Sequence, residues 1–138
     1  MSSCTFFGHR DCPASIKSSI RSEIISLIEN QNADRFYVGN HGFFDAHVLS
    51  VLKELSNLYP HIQYAVVLNR MPDTQLFHAS ILPEGIEWVH PRFSISWRNR
   101  WMIDHSDFVV AYITRSFGGA YQFTELAKRK QKKVIYIK

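Results

Sequence analysis

The chain has 138 residues, a length that suits one domain (residues 1–138), and 46% of them are hydrophobic and 14% aromatic. This composition is typical of a packed globular protein and excludes a disordered chain. The net charge is only +4, no apolar run is long enough to cross a membrane, and the N-terminus lacks a signal-peptide pattern, so we expect a cytoplasmic protein.

Apolar runs and helical patterns alternate along the chain. Short apolar runs predict five β-strands, at residues 3–7, 35–38, 63–68, 107–114 and 133–137. Apolar residues at helical spacing predict four helices between them, at 13–29, 43–58, 93–105 and 121–131. This alternation predicts an α/β fold, a Rossmann-like three-layer sandwich with a mainly parallel sheet of about five strands. We expect the strand order 3-2-1-4-5.

The connection at 69–92 is longer than most connectors and contains Pro72, Pro83, Gly85 and Pro91. Its length predicts a lid over a site. The alternative is a surface loop with a short extra strand near 86–89.

The first predicted strand ends at Gly8, His9 and Arg10. Ligands of parallel sheets bind at the carboxyl ends of the strands, where the strand order reverses. A guanidinium at this edge suits a paired contact with phosphate, so Arg10 is a binding candidate. His9 either contacts a phosphate or a ring of the ligand, or is a packed histidine that shapes the turn.

The second predicted strand ends in the turn Gly39-Asn40-His41-Gly42, and Asp45 follows. Gly39 and Asn40 are therefore binding candidates. Asp45 could accept hydrogen bonds from ribose hydroxyls, or it could simply complement the dipole at the start of a helix.

The fourth predicted strand leads into the run Ser116-Phe117-Gly118-Gly119-Ala120-Tyr121. Two glycines at a strand-to-helix turn let a ligand approach the backbone closely. The helix that follows offers free N–H groups to an anion, most often a phosphate. Residues 117–121 are therefore binding candidates. Glu125 lies one helical turn beyond Tyr121, so both could contact the same group.

The third predicted helix carries Arg98 and Asn99 near its start. Arg98 could reach the phosphate edge, or it could pair with a nearby carboxylate. Glu125 beside an arginine could stabilise an oxocarbenium ion during N-glycosidic cleavage, or it could be an ordinary helix-surface residue.

The cysteines, the basic run near the C-terminus and the remaining histidines give weaker indications of a functional site. Cys4 and Cys12 have neither metal-site nor redox-pair spacing. The basic run at 128–133 is either a nucleic-acid patch or the solvated end of a helix, and we favour the latter. The histidines at 41, 47, 61, 78, 90 and 105 have no ligand spacing. We therefore predict no metal and no cofactor.

The chain resembles the SLOG superfamily, the Rossmann-like group of LOG-type phosphoribohydrolases, the DNA-processing protein Smf/DprA and YpsA-like proteins. Residues 6–10, Phe-Phe-Gly-His-Arg, resemble the YpsA-like start, and residues 98–107 resemble the third helix of that group.

Two LOG motifs are matched in part. In the Gly-Gly-x-Gly-Thr-x-x-Glu motif, Gly118, Gly119 and Glu125 match, whereas Tyr121 and Gln122 replace the second glycine and the threonine. In the Arg-Lys-x-x-Met motif, the arginine and methionine match at 98 and 102, and an asparagine at 99 replaces the lysine.

The resemblance implies a nucleotide-type small molecule as the ligand and a homodimer. The first hypothesis is a sensor or sequestering module that binds a nucleotide or an ADP-ribose-like ligand. The alternative is a nucleoside 5'-monophosphate phosphoribohydrolase with Arg98 and Glu125 as its catalytic pair. The modest charge and the absence of an extra basic domain argue against a nucleic-acid partner.

Overall fold

The computed structural model describes residues 2–72 and 79–137. In this part of the chain the strands are β1 Ser2–Gly8, β2 Ala33–Val38, β3 Gln63–Val67, β4 Ser80–Ile81, β5 Phe108–Tyr112 and β6 Lys133–Tyr136. The α-helices are α1 Lys17–Asn30, α2 Gly42–Leu58, α3 Ser94–Asp104 and α4 Gly119–Arg129. Within these ranges no helix has the length and hydropathy that a membrane span requires.

The strands form one sheet in the order β4-β3-β2-β1-β5-β6, and each neighbouring pair is parallel. The α/β fold class and the relative order of the five predicted strands are therefore confirmed. The short strand β4 extends the sheet beside β3.

The location expected for an extra strand, 86–89, is wrong. Ile86–Trp88 form a 3₁₀ turn instead, with hydrogen bonds from Ile86 N–H to Pro83 O at 3.1 Å and from Trp88 N–H to Gly85 O at 3.1 Å. Gly85 enters this turn with φ of +90°, which favours glycine. The middle of the predicted lid, including His78, lies outside the described residues.

Helices cover both surfaces of the sheet, as the three-layer prediction requires. On one surface α1 and α2 pack against alternate residues of the strands, such as Phe6 and Phe36. On the other surface α3 and α4 pack against the intervening residues, such as Phe7 and Tyr37. This division follows from the strand geometry, in which successive side chains point to opposite sides.

The strand order reverses between β1 and β5. Gly8, the last residue of β1, is level with Tyr112, the last residue of β5. The turns that follow these two strands therefore lie next to each other at the carboxyl edge of the sheet, where ligands of such folds bind.

Candidate functional site

A crevice of about 390 Å³ opens at this edge, between the turns after β1 and β5 and beside α2, α3 and α4. We call it the switch-point crevice. Many of the predicted site residues line it: Gly8, His9, Arg10, Asp45, Arg98, Asn99, Gly118, Gly119 and Ala120. Tertiary structure thus brings together four segments that are far apart in sequence.

One wall of the crevice is the N-terminus of α4. Gly118 precedes the helix with φ of +92°, and no side chain caps the helix. A Cβ added at Gly118 or Gly119 would meet no atom within 4 Å, so the space beside the backbone is open. The first-turn N–H groups have no partner within the helix and carry its positive dipole end. This wall can accept an anion.

The crevice carries a surplus of positive charge. Its lining contains Arg10, Arg98 and Arg115, and the carboxylate that lines it is that of Asp45. Arg115 is half-buried, its guanidinium lies 3.4 Å from Asp11, and it lies over the Phe117 ring at 5.4 Å from the centroid. A negatively charged ligand is therefore favoured in the crevice.

Two polar atoms of the lining are buried without a hydrogen-bond partner in the described residues, Nε2 of His9 and Nε of Arg115. His9 is 3% exposed. Leaving such groups unsatisfied costs about 1–3 kcal/mol each. A ligand acceptor atom, such as a phosphate oxygen, would satisfy Nε of Arg115, and also Nε2 of His9 in the tautomer that carries its proton on that nitrogen.

Arg98 anchors the floor of the crevice and is itself 2% exposed. Its Nη1 donates to Val67 O at 2.9 Å and to Asn40 Oδ1 at 3.0 Å, and its Nε donates to Asn99 Oδ1 at 2.8 Å. These bonds tie α3 to the ends of β2 and β3. They also explain the roles of Asn40 and Asn99, which orient this guanidinium.

Asp45 is a partly buried carboxyl at the start of α2. Its Oδ2 accepts a hydrogen bond from the His41 N–H at 3.0 Å. A Cβ on Gly39 would lie 2.8 Å from that oxygen and 3.2 Å from Arg98 Cζ, so glycine at 39 lets both side chains pack against the backbone. Burial raises the pKa of Asp45 to about 6, although the His41 N–H and the nearby Arg98 and Arg10 act in the opposite direction.

Burial favours the neutral form of both histidines that line the crevice. Burial lowers the pKa of His9, and the charge of Arg115 adds to the effect although Asp11 opposes it. Burial also lowers the pKa of His41, together with the charges of Arg98, Arg10 and Arg70. His41 Nδ1 lies 3.2 Å from Arg98 Nη2, which fits a ring nitrogen that accepts from the guanidinium.

The structure does not bring Arg98 and Glu125 together. Glu125 and Tyr121 line a separate, open cavity of about 500 Å³ on the outer side of α4. Glu125 pairs with Lys128 at 3.1 Å. The helical period explains this placement, because the side of α4 toward the sheet carries Phe123 and Ala127. Phe117 is 67% exposed.

Two ionisable lining residues, Arg115 and His41, were absent from the sequence-based set of site residues. Arg115 follows β5 directly, just as Arg10 follows β1, so its position at a strand end was a usable signal. His41 lies in the turn after β2, but its contact with Arg98 depends on the tertiary structure. No cluster of three or more His, Cys, Asp or Glu side chains suited to a metal occurs in residues 2–72 and 79–137.

Comparisons with known proteins identify the fold alone. No protein-family model matches the chain, and no curated protein matches it in sequence. The crystal structure of DNA processing protein A (DprA) from Streptococcus pneumoniae is similar, with a TM-score of 0.73 and 15% sequence identity. The similarity covers 99% of this chain and 50% of that one, so this chain spans about half its length. The Rossmann-like fold expected from the SLOG resemblance is thereby confirmed.

This similarity corrects the prediction about partners. The argument against nucleic acid rested on modest charge and on the absence of an extra basic domain. A fold of the same kind occurs in a protein named for DNA processing. Those two features therefore do not exclude a nucleic-acid partner.

Proposed function

We propose that the switch-point crevice binds the phosphate and ribose of a nucleotide unit. In this proposal the phosphate binds to the N–H groups at the start of α4 and to Arg10 and Arg115. The ribose hydroxyls bind to Asp45. The negative phosphate would lie at the positive end of the α4 dipole, which adds to the attraction of the guanidinium groups.

The observation that carries the proposal is the pair of buried, unpartnered nitrogens of His9 and Arg115. Both belong to the lining of a crevice whose cations outnumber its carboxylates. Buried polar atoms without partners are rare in folded proteins, and a bound acceptor is one explanation for them. An uncapped helix N-terminus on the same crevice supplies a third independent set of donors.

Two classes of ligand contain such a nucleotide unit and present the same chemistry. The unit is either a free nucleotide, including an ADP-ribose-like molecule, or one unit of a single-stranded nucleic acid. The similarity in fold to a DNA processing protein supports testing the second class alongside the first. Both classes present a phosphate beside a ribose or deoxyribose and a base.

Titration calorimetry with AMP, ADP-ribose and a single-stranded oligoadenylate, which keeps the ribose 2'-hydroxyl and the amino group of the base, tests the proposal. Arg10→Ala and Arg115→Ala should each weaken binding of whichever ligand binds, by roughly tenfold or more, because each removes a charge-assisted hydrogen bond. Arg129→Ala is the matched control, since it removes the same group from the outer cavity of α4. Equal losses in all three variants, or no binding of any ligand to the unaltered protein, would refute the proposal.

A second candidate function is hydrolysis of the N-glycosidic bond of a nucleoside monophosphate. Asp45 favours it, because this carboxyl lines the crevice and its pKa of about 6 suits proton exchange near neutral pH. Water would add across the bond, so that AMP yields adenine and ribose 5-phosphate. In this candidate Asp45 takes the carboxylate role that sequence analysis predicted for Glu125.

Product analysis separates the two carboxylates. Asp45→Asn should abolish release of adenine from AMP, whereas Glu125→Gln should leave the rate within about twofold, since Glu125 lies on the outer cavity. The reverse pattern would restore the predicted Arg98 and Glu125 pair. AMP that is bound and recovered intact would leave binding as the function of the crevice.

A further inference from the structure

A second cavity adjoins the switch-point crevice. It has a volume of about 540 Å³ and lies between β4, the end of β3 and the start of α3. Its volume is within the range of small-molecule sites, about 300–1,000 Å³. Most of its walls are apolar, formed by the side chains of Met71, Leu82, Ile86, Val89, Pro91 and Ile95.

The two cavities adjoin at one border. His41 and Ile95 line both of them. A ligand whose phosphate lies at the start of α4 would have to cross this shared border to enter the second cavity. The His41 ring, whose Nδ1 lies 3.2 Å from Arg98 Nη2, forms part of that border.

A few polar groups are set into the apolar wall. Asn69 Nδ2 donates to Ser94 Oγ at 3.0 Å, and Ser94 Oγ donates to Pro91 O at 3.0 Å. This chain of bonds fixes the Asn69 amide and leaves its oxygen as an acceptor. The Glu87 carboxylate also lines the cavity and can only accept when ionised.

We propose that this second cavity binds the base of the nucleotide unit, with preference for a base that carries an exocyclic amino group. A base is flat and largely apolar on its two surfaces, which suits the aliphatic walls. Its amino group is a donor, which suits the oxygens of Asn69 and Glu87. This inference rests on the proposed function, because the crevice must hold the phosphate for the base to reach the cavity.

The test compares AMP with ribose 5-phosphate, which lacks the base, by titration calorimetry. The unaltered protein should bind AMP about tenfold more tightly, because the base loses its exposure to water. Val89→Trp fills the half-buried wall and should abolish this difference while ribose 5-phosphate still binds. Leu58→Trp, at an exposed residue at the end of α2, is the matched control and should keep the difference.

A second variant tests the base cavity without filling it, so the test does not depend on correct folding of Val89→Trp. Glu87 is exposed, so Glu87→Gln leaves the packing intact. The unaltered protein should prefer AMP to inosine 5'-monophosphate, whose base has a carbonyl in place of the amino group, and Glu87→Gln should reduce that preference.

The outcomes separate the two proposals. Equal affinity for AMP and ribose 5-phosphate in the unaltered protein would overturn the base cavity and leave the crevice proposal standing. Retention of the difference in Val89→Trp, or of the AMP preference in Glu87→Gln, would also overturn it. Failure of both ligands to bind would overturn the crevice proposal and the base cavity together.

Discussion

At the residue scale, the end of β1 requires glycine for a steric reason. A Cβ at Gly8 would lie 2.3 Å from Cγ of Phe44, whose ring is fully buried and stacks with Tyr112 at 6.4 Å between centroids. We predict that Gly8→Ala lowers the free energy of unfolding by about 1–3 kcal/mol, because the ring cannot move away without strain. Urea denaturation measures the change.

Gly119→Ala is the control for that prediction. A Cβ there meets no atom within 4 Å, so stability should change by less than about 0.5 kcal/mol. The added methyl group lies beside the N–H groups that would hold a phosphate, so anion binding should weaken. Similar loss of stability in both variants would contradict the steric argument.

Asp45 makes stability depend on pH. Its pKa is about 6 in the folded chain and 3.8 in the unfolded reference, so the folded state holds its proton more tightly. This stabilisation is complete below about pH 4 and is lost as the pH rises through 6. Relative to the unaltered protein, Asp45→Asn should therefore gain up to about 3 kcal/mol between pH 4 and pH 7.5.

Chemical denaturation at a series of pH values measures this change. Parallel pH profiles for the two proteins would contradict it, because they would mean that Asp45 titrates alike in both states. The comparison uses a difference between proteins, so other titrating groups cancel.

Sequence patterns predicted many of the residues that line the crevice, because those residues directly follow strand patterns in the local sequence. Gly118 and Gly119 follow one apolar strand, and Arg10 follows another. Each of these positions can therefore be predicted from the local sequence alone. The burial of Asp45 cannot be predicted from the sequence, because it depends on the close approach of Gly39 and Arg98 in the folded chain. The separation of Arg98 from Glu125 depends on how α4 is rotated on the sheet.

At the element scale, α3 is held in place by one buried side chain. Arg98 bonds to the carbonyl of Val67 and to Asn40, so it joins α3 to two strand ends. We predict that Arg98→Met costs about 2–4 kcal/mol of stability, because the Val67 carbonyl is left buried without this donor. It should also raise the pKa of Asp45 further, since Arg98 now lowers it.

Arg100→Met is the matched control on the same helix. Arg100 is exposed, so its replacement should change stability by no more than about 0.5 kcal/mol. Calorimetric unfolding measures the stabilities, and NMR titration of the Asp45 carboxyl measures its pKa. Equal losses for the two variants would show that Arg98 does not anchor α3.

Element positions were predictable where the hydrophobic period was long. Helix α2 was expected at 43–58 and is found at Gly42–Leu58, because Val48, Val51, Leu52 and Leu55 recur at helical spacing. The 69–92 segment has no such period. Its β4 strand has two residues and is defined by pairing with β3, so no local pattern encodes it.

At the scale of the whole molecule, the net charge of +4 matters less than its distribution. In the basic run at the end of α4, Lys128 pairs with Glu125 and Lys130 pairs with Asp104. At the carboxyl edge, Arg10 and Arg115 line the switch-point crevice and Arg70 lines the adjoining cavity. Three arginines that follow strand ends thus lie around the proposed site.

This distribution predicts how salt affects each class of ligand. Each phosphate of a single strand that is neutralised contributes about −0.7 to the slope of log K against log salt. A strand with one phosphate at Arg10 and Arg115 and a second phosphate at Arg70 should therefore give a slope of about −1.4, and the single phosphate of AMP one of about half that. Affinities for oligoadenylate and AMP at several salt concentrations measure both slopes.

The variant Arg70→Ala isolates the charge outside the crevice. It should make the oligoadenylate slope shallower by about 0.7 and leave the AMP slope unchanged, because a second phosphate is needed to reach residue 70. Arg129→Ala, on the outer side of α4, should change neither slope. If both ligands give one slope that Arg70→Ala does not alter, the phosphate contact is confined to the crevice. The ligand is then recognised as a single nucleotide, because a bound strand would carry further phosphates past Arg70.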